Sequence, residues 1–211
     1  MSLRIFDFRN EEDIRNILVT PHIRSRILRL KAGSEMKDFH SHDLGHEIFI
    51  ILQGRCRFEI DGEQTVLGPG QMCIALADQP HRVNVVGEED VIMYLSVTPH
   101  IVPTHTDRTS EGKRKPHSFW PPEHYDAVGV IRSSNEELMD RMSKLARSAS
   151  RSLSKCAEKT EDLKQISATE TNGNVRDTRE KVWKDLIATF QDIYTLSEAW
   201  NDLAPRLDGK D

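Results

Sequence analysis

Three histidines and one glutamate are the residues of this sequence whose types and spacing could do chemistry. His40 and His42 are separated by one residue, and Glu47 and His81 follow them along the chain. Side chains two positions apart on a β-strand point to the same face, so the first two imidazoles would project together. Three imidazoles and one carboxylate form a ligand set that suits iron, manganese, nickel, copper or zinc.

The residues between these groups predict how the chain brings them together. Residues 43–46 would form a short turn, and the apolar run 47–52 would be a neighbouring strand that opens with the carboxylate. His81 follows a proline and would begin a later strand. Histidine pairs are common, but a pair with a strand-opening glutamate and a distant histidine is much rarer. We therefore predict that the four side chains meet.

The part of the chain that carries these residues has the pattern of an antiparallel β structure. From Ile23 to about Val97 apolar and polar residues alternate, and turn residues interrupt the alternation at short intervals. Residues 55–60, for example, would point Cys56, Phe58 and Ile60 inward, before a hairpin turn at Asp61 and Gly62. This spacing predicts a β-sandwich or a β-barrel.

The same residues resemble the two sequence motifs of the cupin family. The glycine, His-x-His pair, glutamate and second glycine of the first motif correspond to Gly33, His40, His42, Glu47 and Gly54, with one extra residue before His40. The glycine, histidine and asparagine of the second motif correspond to Gly70, His81 and Asn84, with the asparagine one residue early. Leu76 and Asp78 replace the proline and glycine of that motif. The resemblance covers roughly residues 20–100.

The resemblance implies a fold and a cofactor. We expect a mainly β fold, a double-stranded β-helix or jelly-roll barrel, followed by a C-terminal α-helical hairpin. The expected cofactor is one divalent transition metal (iron, manganese, nickel or zinc), and its expected ligands are His40, His42, Glu47 and His81. Barrels of this family host dioxygenases, isomerases, lyases, epimerases, storage proteins and sensing domains, so the resemblance alone does not select a reaction.

Residues 98–132, which we call the proline-rich arm, interrupt the alternating pattern. Five prolines argue against regular structure, and four histidines lie among them, at positions 100, 105, 117 and 124. Either His100 or His105 folds over the barrel mouth and contacts a substrate, or these imidazoles lie on the surface of an extended segment. We expect the second arrangement.

From Ser133 onward the pattern becomes helical. Ser134 with Glu136 and Glu137 forms an N-terminal capping pattern. An apolar stripe then predicts one helix, through Leu138, Met142, Leu145, Ala149, Leu153, Cys156, Thr160 and Leu163. A second helix would begin at about Asp177, end at Pro205 and bury Trp183, Leu186, Phe190, Ile193 and Trp200. We predict two domains, a barrel with its arm at 1–132 and a helical hairpin at 133–211.

Charge and composition narrow the choice of partners and compartment. The 211 residues carry a formal net charge of -5, which gives no long-range attraction for nucleic acid or anionic lipid. No apolar stretch has the length of a signal peptide or a membrane span. Cys56, Cys73 and Cys156 are isolated and odd in number, as in a reduced protein. We expect a cytoplasmic protein that binds neither nucleic acid nor membrane.

The ligand count suggests a mechanism. Four protein ligands on a six-coordinate ion leave two positions for a substrate, or for a substrate and dioxygen. We therefore predict a mononuclear metalloenzyme that acts on a small molecule, with dioxygenase chemistry favoured. The alternative is a non-catalytic module that senses or binds a small molecule. Tyr94 would be a general acid if it entered the cavity, or an outer-surface residue; we assign no catalytic residue.

The run 47–52 also bears on assembly. Ile48, Ile50 and Leu52 would face away from Glu47, yet they are all large and apolar. An apolar face of this kind marks an interface. A helical hairpin or a second subunit would cover it, and we predict a homodimer, since the two-fold dimer is the commonest oligomer.

Overall fold

The computed structural model describes residues 3–120, 124, 133–169 and 173–207. The chain divides into two compact units, Met1–Val130 with Leu207–Asp211, and Ile131–Arg206. The strands lie in the first unit and the two long helices in the second. We call them the barrel unit and the helical unit.

Ten strands make up the described part of the barrel unit. After a short 3-10 turn they follow in the order β1 (Asn16–Thr20), β2 (Ile23–Leu30), β3 (His40–Ser41), β4 (His46–Gln53), β5 (Cys56–Ile60), β6 (Glu63–Leu67), β7 (Met72–Ala75), β8 (His81–Val85), β9 (Val91–Thr98) and β10 (Thr106–Asp107). They form two antiparallel sheets of five strands, in the orders β1-β2-β9-β4-β7 and β10-β3-β8-β5-β6. This jelly-roll arrangement confirms the predicted barrel.

Alternating side chains from both sheets fill the barrel. Phe49 and Ile51 of β4 pack against Cys56 and Phe58 of β5, with Met93 of β9 beside them, and each is at most 3% exposed. Burial of such side chains contributes about 1.5–3 kcal/mol each relative to exposure. Because Cys56, Phe58 and Ile60 lie on this inner side, the alternation predicted for residues 55–60 is confirmed.

The relation between β3 and β4 differs from the prediction. We expected a turn between neighbouring strands, but β3 pairs with β8 and β10, whereas β4 lies between β9 and β7 in the other sheet. Residues 42–45 therefore carry the chain from one sheet to the other. As a result, His40 and Glu47 approach each other from opposite walls of the barrel.

The helical unit consists of two long helices and a final 3-10 turn. Helix α1 spans Asn135–Thr169 and helix α2 spans Gly173–Leu203, four residues before the predicted start at Asp177. Ser134 and Glu137 cap α1 reciprocally: the Glu137 amide donates to Ser134 Oγ at 3.1 Å, and the Ser134 amide donates to Glu137 Oε2 at 2.7 Å. The predicted helical hairpin and its capping residues are confirmed.

The predicted buried side of α2 is wrong for Trp183 and Phe190, whereas Leu186, Ile193 and Trp200 are half-buried. Trp183 and Phe190 are 51% and 49% exposed, whereas Val182 and Thr189, one position earlier in each case, are buried. Small side chains form the contact with α1: Thr189 Oγ1 lies 3.5 Å from Cys156 Sγ, and Ala199 is fully buried. Small residues let two helices approach closely, and the large aromatic residues then lie outside that contact.

The α1 stripe is partly confirmed. Leu138, Ala149 and Cys156 are buried as predicted, whereas Leu153 is 50% exposed. The side chain of residue 163, the last position of the predicted stripe, lies outside the described residues.

Gly54, between β4 and β5, should tolerate a side chain less well than Gly62, between β5 and β6. Its φ is +74°, and a Cβ would lie 2.6 Å from the Asp90 carbonyl oxygen. Gly62 also has a positive φ, +86°, but a Cβ there would meet nothing within 4 Å. Alanine costs about 1–2 kcal/mol at either site through backbone strain, and the clash at Gly54 adds about 1–3 kcal/mol.

Urea denaturation of Gly54→Ala and Gly62→Ala measures this difference as the free energy of unfolding. The first variant should lose clearly more stability than the second. Equal losses would show that the approach of residue 90 to Gly54 does not constrain the turn.

Candidate metal centre

Three elements position the four predicted side chains. His40 belongs to β3 and His42 follows directly after that strand, while His81 opens β8, which pairs with β3 in a register that places His40 opposite His81. Glu47 is the second residue of β4 in the other sheet. The structure therefore brings together all four residues that the sequence suggested.

The ligand atoms converge on one carboxylate oxygen. Glu47 Oε2 lies 2.9 Å from Nε2 of His42, 2.9 Å from Nε2 of His81 and 3.8 Å from Nε2 of His40. One ligand atom from each of the four residues lies within 4.8 Å of the others. The cluster could hold a metal ion.

The electrostatics of the cluster favour a charged Glu47 beside a neutral His40. Burial disfavours the carboxylate, but its polar contacts with His40, His42 and His81 hold the pKa of Glu47 well below its ordinary value. Burial lowers the pKa of His40 to about 4, against the opposing effect of Glu47. At neutral pH His40 therefore presents a lone pair, as a metal ligand must.

Backbone carbonyls fix the orientation of two rings. Nδ1 of His81 donates to the Gln79 carbonyl oxygen at 2.9 Å, and Nδ1 of His42 donates to the Thr104 carbonyl oxygen. Carbonyl oxygens only accept, so the Nδ1 atoms must carry the hydrogens. In the neutral tautomer, Nε2 of each ring is then an acceptor.

This tautomer gives a test of whether the residues fit a metal. Two Nε2 lone pairs face Glu47 Oε2, which is also an acceptor, at 2.9 Å. Acceptors so close to one another need a cation between them. A divalent ion satisfies all of them at once, whereas protonation would bury several imidazolium charges. The donor set therefore fits a transition metal.

The proline-rich arm contains part of the site. We predicted no regular structure in it, but Thr106 and Asp107 form β10, which pairs with Ser41 and His40 on β3. The arm thus flanks the strand of the first ligand and supplies the Thr104 carbonyl that orients the second. Strand pairing is available here because β3 is otherwise a sheet edge.

The histidines of the arm are not the surface groups that we expected. His100 is 2% exposed. The His105 ring lies against two ligand rings, with centroids 5.1 Å from His40 and 4.7 Å from His42. Burial and the nearby His42 and His40 hold the pKa of His105 well below its ordinary value. His117 is partly exposed and contacts Asp43, as a surface histidine would.

A buried arginine fixes the arm to the ligand strand. Arg108 is 8% exposed; its Nε donates to Ser41 Oγ at 2.9 Å, and its Nη2 donates to Asp78 Oδ1 at 2.5 Å. Thr106 Oγ1 also donates to Asp43 Oδ1 at 2.5 Å. Charge-assisted hydrogen bonds of this kind are stronger than neutral ones, so the arm is held on both sides of β3.

Two other residues considered from the sequence lie outside the site. Tyr94 hydrogen-bonds to Ser25 at 3.0 Å and lies opposite Ile50, on the face of β9 away from the core residue Met93. It therefore does not enter the cavity. Asn84, the motif asparagine, accepts a hydrogen bond from the Met36 amide at 2.6 Å.

The cysteines offer no nucleophile in the barrel. All three are free, and burial raises the pKa of Cys56 and of Cys73 to about 12. These two thiols stay protonated at neutral pH.

Among the described residues, no helix is both long enough and apolar enough to cross a membrane.

Comparisons with known proteins agree with this architecture. Residues 26–98 match the family model described as Cupin domain. No curated protein matches the chain.

Solved structures give likenesses in fold alone. A Klebsiella pneumoniae protein with a double-stranded β-helix domain is 22% identical, with 51% of this chain and 98% of that chain covered and a TM-score of 0.45. KdgF from Halomonas sp. is 21% identical; the match covers 41% of this chain and 78% of that chain, with a TM-score of 0.37. Salicylate 1,2-dioxygenase from Pseudoaminobacter salicylatoxidans is 23% identical; the match covers 37% of this chain and 20% of that chain, with a TM-score of 0.33.

The buried His100 should make the metal-free protein sensitive to acid. Burial first, and then the neighbouring Arg24 and His42 side chains, lower its pKa from 6.5 to about 3. Below pH 6.5 the unfolded chain therefore binds a proton that the folded chain does not. The free energy of unfolding should fall as the pH drops from 6.5 toward 3, by at most about 1.4 kcal/mol per pH unit for this group.

Urea denaturation of metal-free wild type and His100→Gln at about pH 7 and about pH 5 tests this linkage. The variant should lose less stability than the wild type over that interval. Parallel losses would show that His100 does not contribute to the acid sensitivity.

Proposed function

The barrel unit carries a cupin domain at residues 26–98, and from that premise we propose that the protein is a mononuclear metalloenzyme acting on a small molecule. His40, His42, Glu47 and His81 would ligate one divalent transition metal, iron, manganese, nickel or zinc. Oxygenation is the reaction that we favour. The convergence of the four ligand atoms within 4.8 Å carries the proposal.

The ligand set determines what an ion would supply. Three imidazole nitrogens and one carboxylate would leave a divalent ion with a net positive charge, so it would polarise a bound substrate and, if redox-active, support dioxygen chemistry. The barrel residues supply the remaining features: β3 and β8 hold two imidazoles in register, and Glu47 provides the negative charge.

The surroundings suit chemistry that must exclude water. His42, Glu47 and His81 are each at most 4% exposed, and the His105 ring lies over the rings of His40 and His42. A buried site strengthens each electrostatic interaction inside it. His105, being neutral, can donate or accept one hydrogen bond beside the substrate.

Substitution of single ligands tests the metal site. His40→Ala, His42→Ala and His81→Ala should reduce bound metal from about one equivalent to a small fraction, because each removes a nitrogen donor. Glu47→Gln should reduce affinity less, since an amide oxygen still coordinates without supplying charge. Elemental analysis of protein purified without a histidine tag measures the metal content.

His117→Ala is the matched control, because this histidine lies in the same unit but is partly exposed and pairs with Asp43. Its metal content should equal that of the wild type. Circular dichroism should show a folded barrel in every variant, because the core consists of apolar side chains. Unchanged metal content in His81→Ala would contradict the assignment.

Oxygen consumption by iron- or manganese-loaded protein on a panel of small aromatic and polar molecules tests the reaction. Uptake that depends on both metal and substrate supports the enzyme. Full folding and small-molecule binding without metal would instead indicate the non-catalytic binding module.

We propose in addition that two copies of the chain associate through the outer face of β4 and β7. Ile48 lies opposite Ile74, and Ile50 lies opposite Met72, so four large apolar residues form one continuous face. Met72 and Ile74 are 53% and 47% exposed. An exposed apolar face of this kind is typical of an interaction surface, and a two-fold axis would let it cover itself.

Sedimentation equilibrium of Ile74→Glu tests this association. A charge placed in an apolar interface should convert the dimer into a monomer, because the carboxylate would be buried without a partner. Gln64→Glu adds the same charge at an exposed position on β6 and should leave the dimer intact. A monomeric wild type would contradict the proposed dimer.

A further inference from the structure

A fourth imidazole lies beside the three candidate ligand rings. The His105 ring centroid is 4.7 Å from that of His42 and 5.1 Å from that of His40. The ring centroids of His40, His42 and His81 are themselves 4.2 to 5.6 Å apart. The His105 ring is therefore as close to two of the candidate ligands as the ligand rings are to one another.

The pairing of β10 with β3 gives the direction of this side chain. Thr106 lies opposite Ser41, so the same register continued by one position places His105 opposite His42. Opposite residues of paired strands point to the same side. Thr106, the next residue along, contacts the other side, where its Oγ1 donates to Asp43 Oδ1 at 2.5 Å. His105 therefore points into the barrel, as His42 does.

The backbone is attached to the ligand segment on both sides of His105. The Thr104 carbonyl oxygen accepts a hydrogen bond from His42 Nδ1. Thr106 pairs with Ser41, the residue between two candidate ligands. A side chain between two such attachments keeps its place beside the cluster, as a group that contacts a bound molecule must.

His105 is a neighbour of the metal cluster and not a member of it. Among the described residues, the four whose potential ligand atoms all lie within 4.8 Å of one another are His40, His42, Glu47 and His81. A ring that touches these ligands from outside the group is placed to contact whatever an ion binds, and not the ion itself.

One nitrogen of the His105 ring is left for such a contact. In the described part of the chain, the hydrogen bond of this ring joins Nδ1 to Thr104 Oγ1 at 3.2 Å. If the hydroxyl donates to Nδ1, the ring hydrogen is on Nε2, which then donates. Burial lowers the pKa of His105, and the Glu47 carboxylate opposes this shift, so the ring also lies near the carboxylate.

We propose that Nε2 of His105 donates a hydrogen bond to the small molecule that binds the ion. This assignment rests on the proposed function and specifies its substrate class, a molecule that presents an oxygen or nitrogen acceptor beside the metal. A molecule with only carbon there would leave the buried donor without a partner, which is costly. His105 is thus a binding residue that selects ligands by their hydrogen-bonding capacity.

Azide titration of the cobalt(II)-loaded full chain, followed by visible absorption, tests the assignment. Cobalt(II) accepts nitrogen and carboxylate ligands, and azide is a small ligand that accepts hydrogen bonds. His105→Phe keeps a ring against His40 and His42 but removes the donor, so the dissociation constant of azide should rise by about tenfold or more. His105→Gln restores an N–H donor and should stay within about threefold of the wild type.

His117→Phe is the matched control, because this histidine lies in the same unit but is partly exposed and pairs with Asp43. Its azide affinity should equal that of the wild type. Equal affinities in wild type and His105→Phe would overturn the proposal. Equal losses in His105→Phe and His105→Gln would overturn it as well, because packing of the ring would then explain the effect.

Cobalt content and circular dichroism, measured on each sample, separate failure of this assignment from failure of the proposed function. Loss of cobalt from a folded His105→Phe variant would show that His105 binds the ion itself, against the placement outside the cluster. A wild type that retains no cobalt would contradict the metal centre and this assignment together. A cobalt-loaded wild type whose azide affinity does not depend on residue 105 would contradict this assignment alone.

Discussion

The candidate metal centre depends on the contact between the Glu47 carboxylate and three imidazoles, two on the opposite sheet and one in the crossing that leads from it. A buried carboxylate is costly unless donors or a cation surround it. Glu47 lies on the wall formed by β2, β9, β4 and β7, whereas His40 and His81 lie on the wall formed by β10, β3, β8, β5 and β6. The chain crosses between the walls at residues 42–45, and the site exists because this crossing is short.

A second layer of contacts keeps these imidazoles in position. The Gln79 and Thr104 carbonyls determine which nitrogen of His81 and His42 faces the carboxylate. Arg108 then fixes the arm that carries Thr104 to Ser41, the residue between two ligands. The positions of these imidazoles thus depend on groups outside the cluster, as is general for histidines that bind metals.

Alternation and spacing were enough to predict the barrel and the four converging residues. His40 and His42 are two positions apart, a spacing that predicted a shared direction, and the period-two pattern places Phe58 and Val83 in the core. The sequence could not indicate the Thr104 carbonyl, because any residue has one, nor the crossing between sheets, because local pattern does not encode which strands pair. Part of the buried side of α2 was mispredicted because we placed the largest apolar side chains in the core. Trp183 is exposed, whereas its smaller neighbour Val182 is buried.

The hydrogen bond between His42 and Thr104 also has a consequence for the order of folding. Its partners are 62 positions apart in the chain. Loop-closure entropy makes such distant contacts form late. His40, His42, Glu47 and His81 all precede Thr104 in the chain, so during synthesis they leave the ribosome before the carbonyl that orients the His42 ring. The fixed orientation of that ring is therefore the last feature of the cluster that the chain can supply.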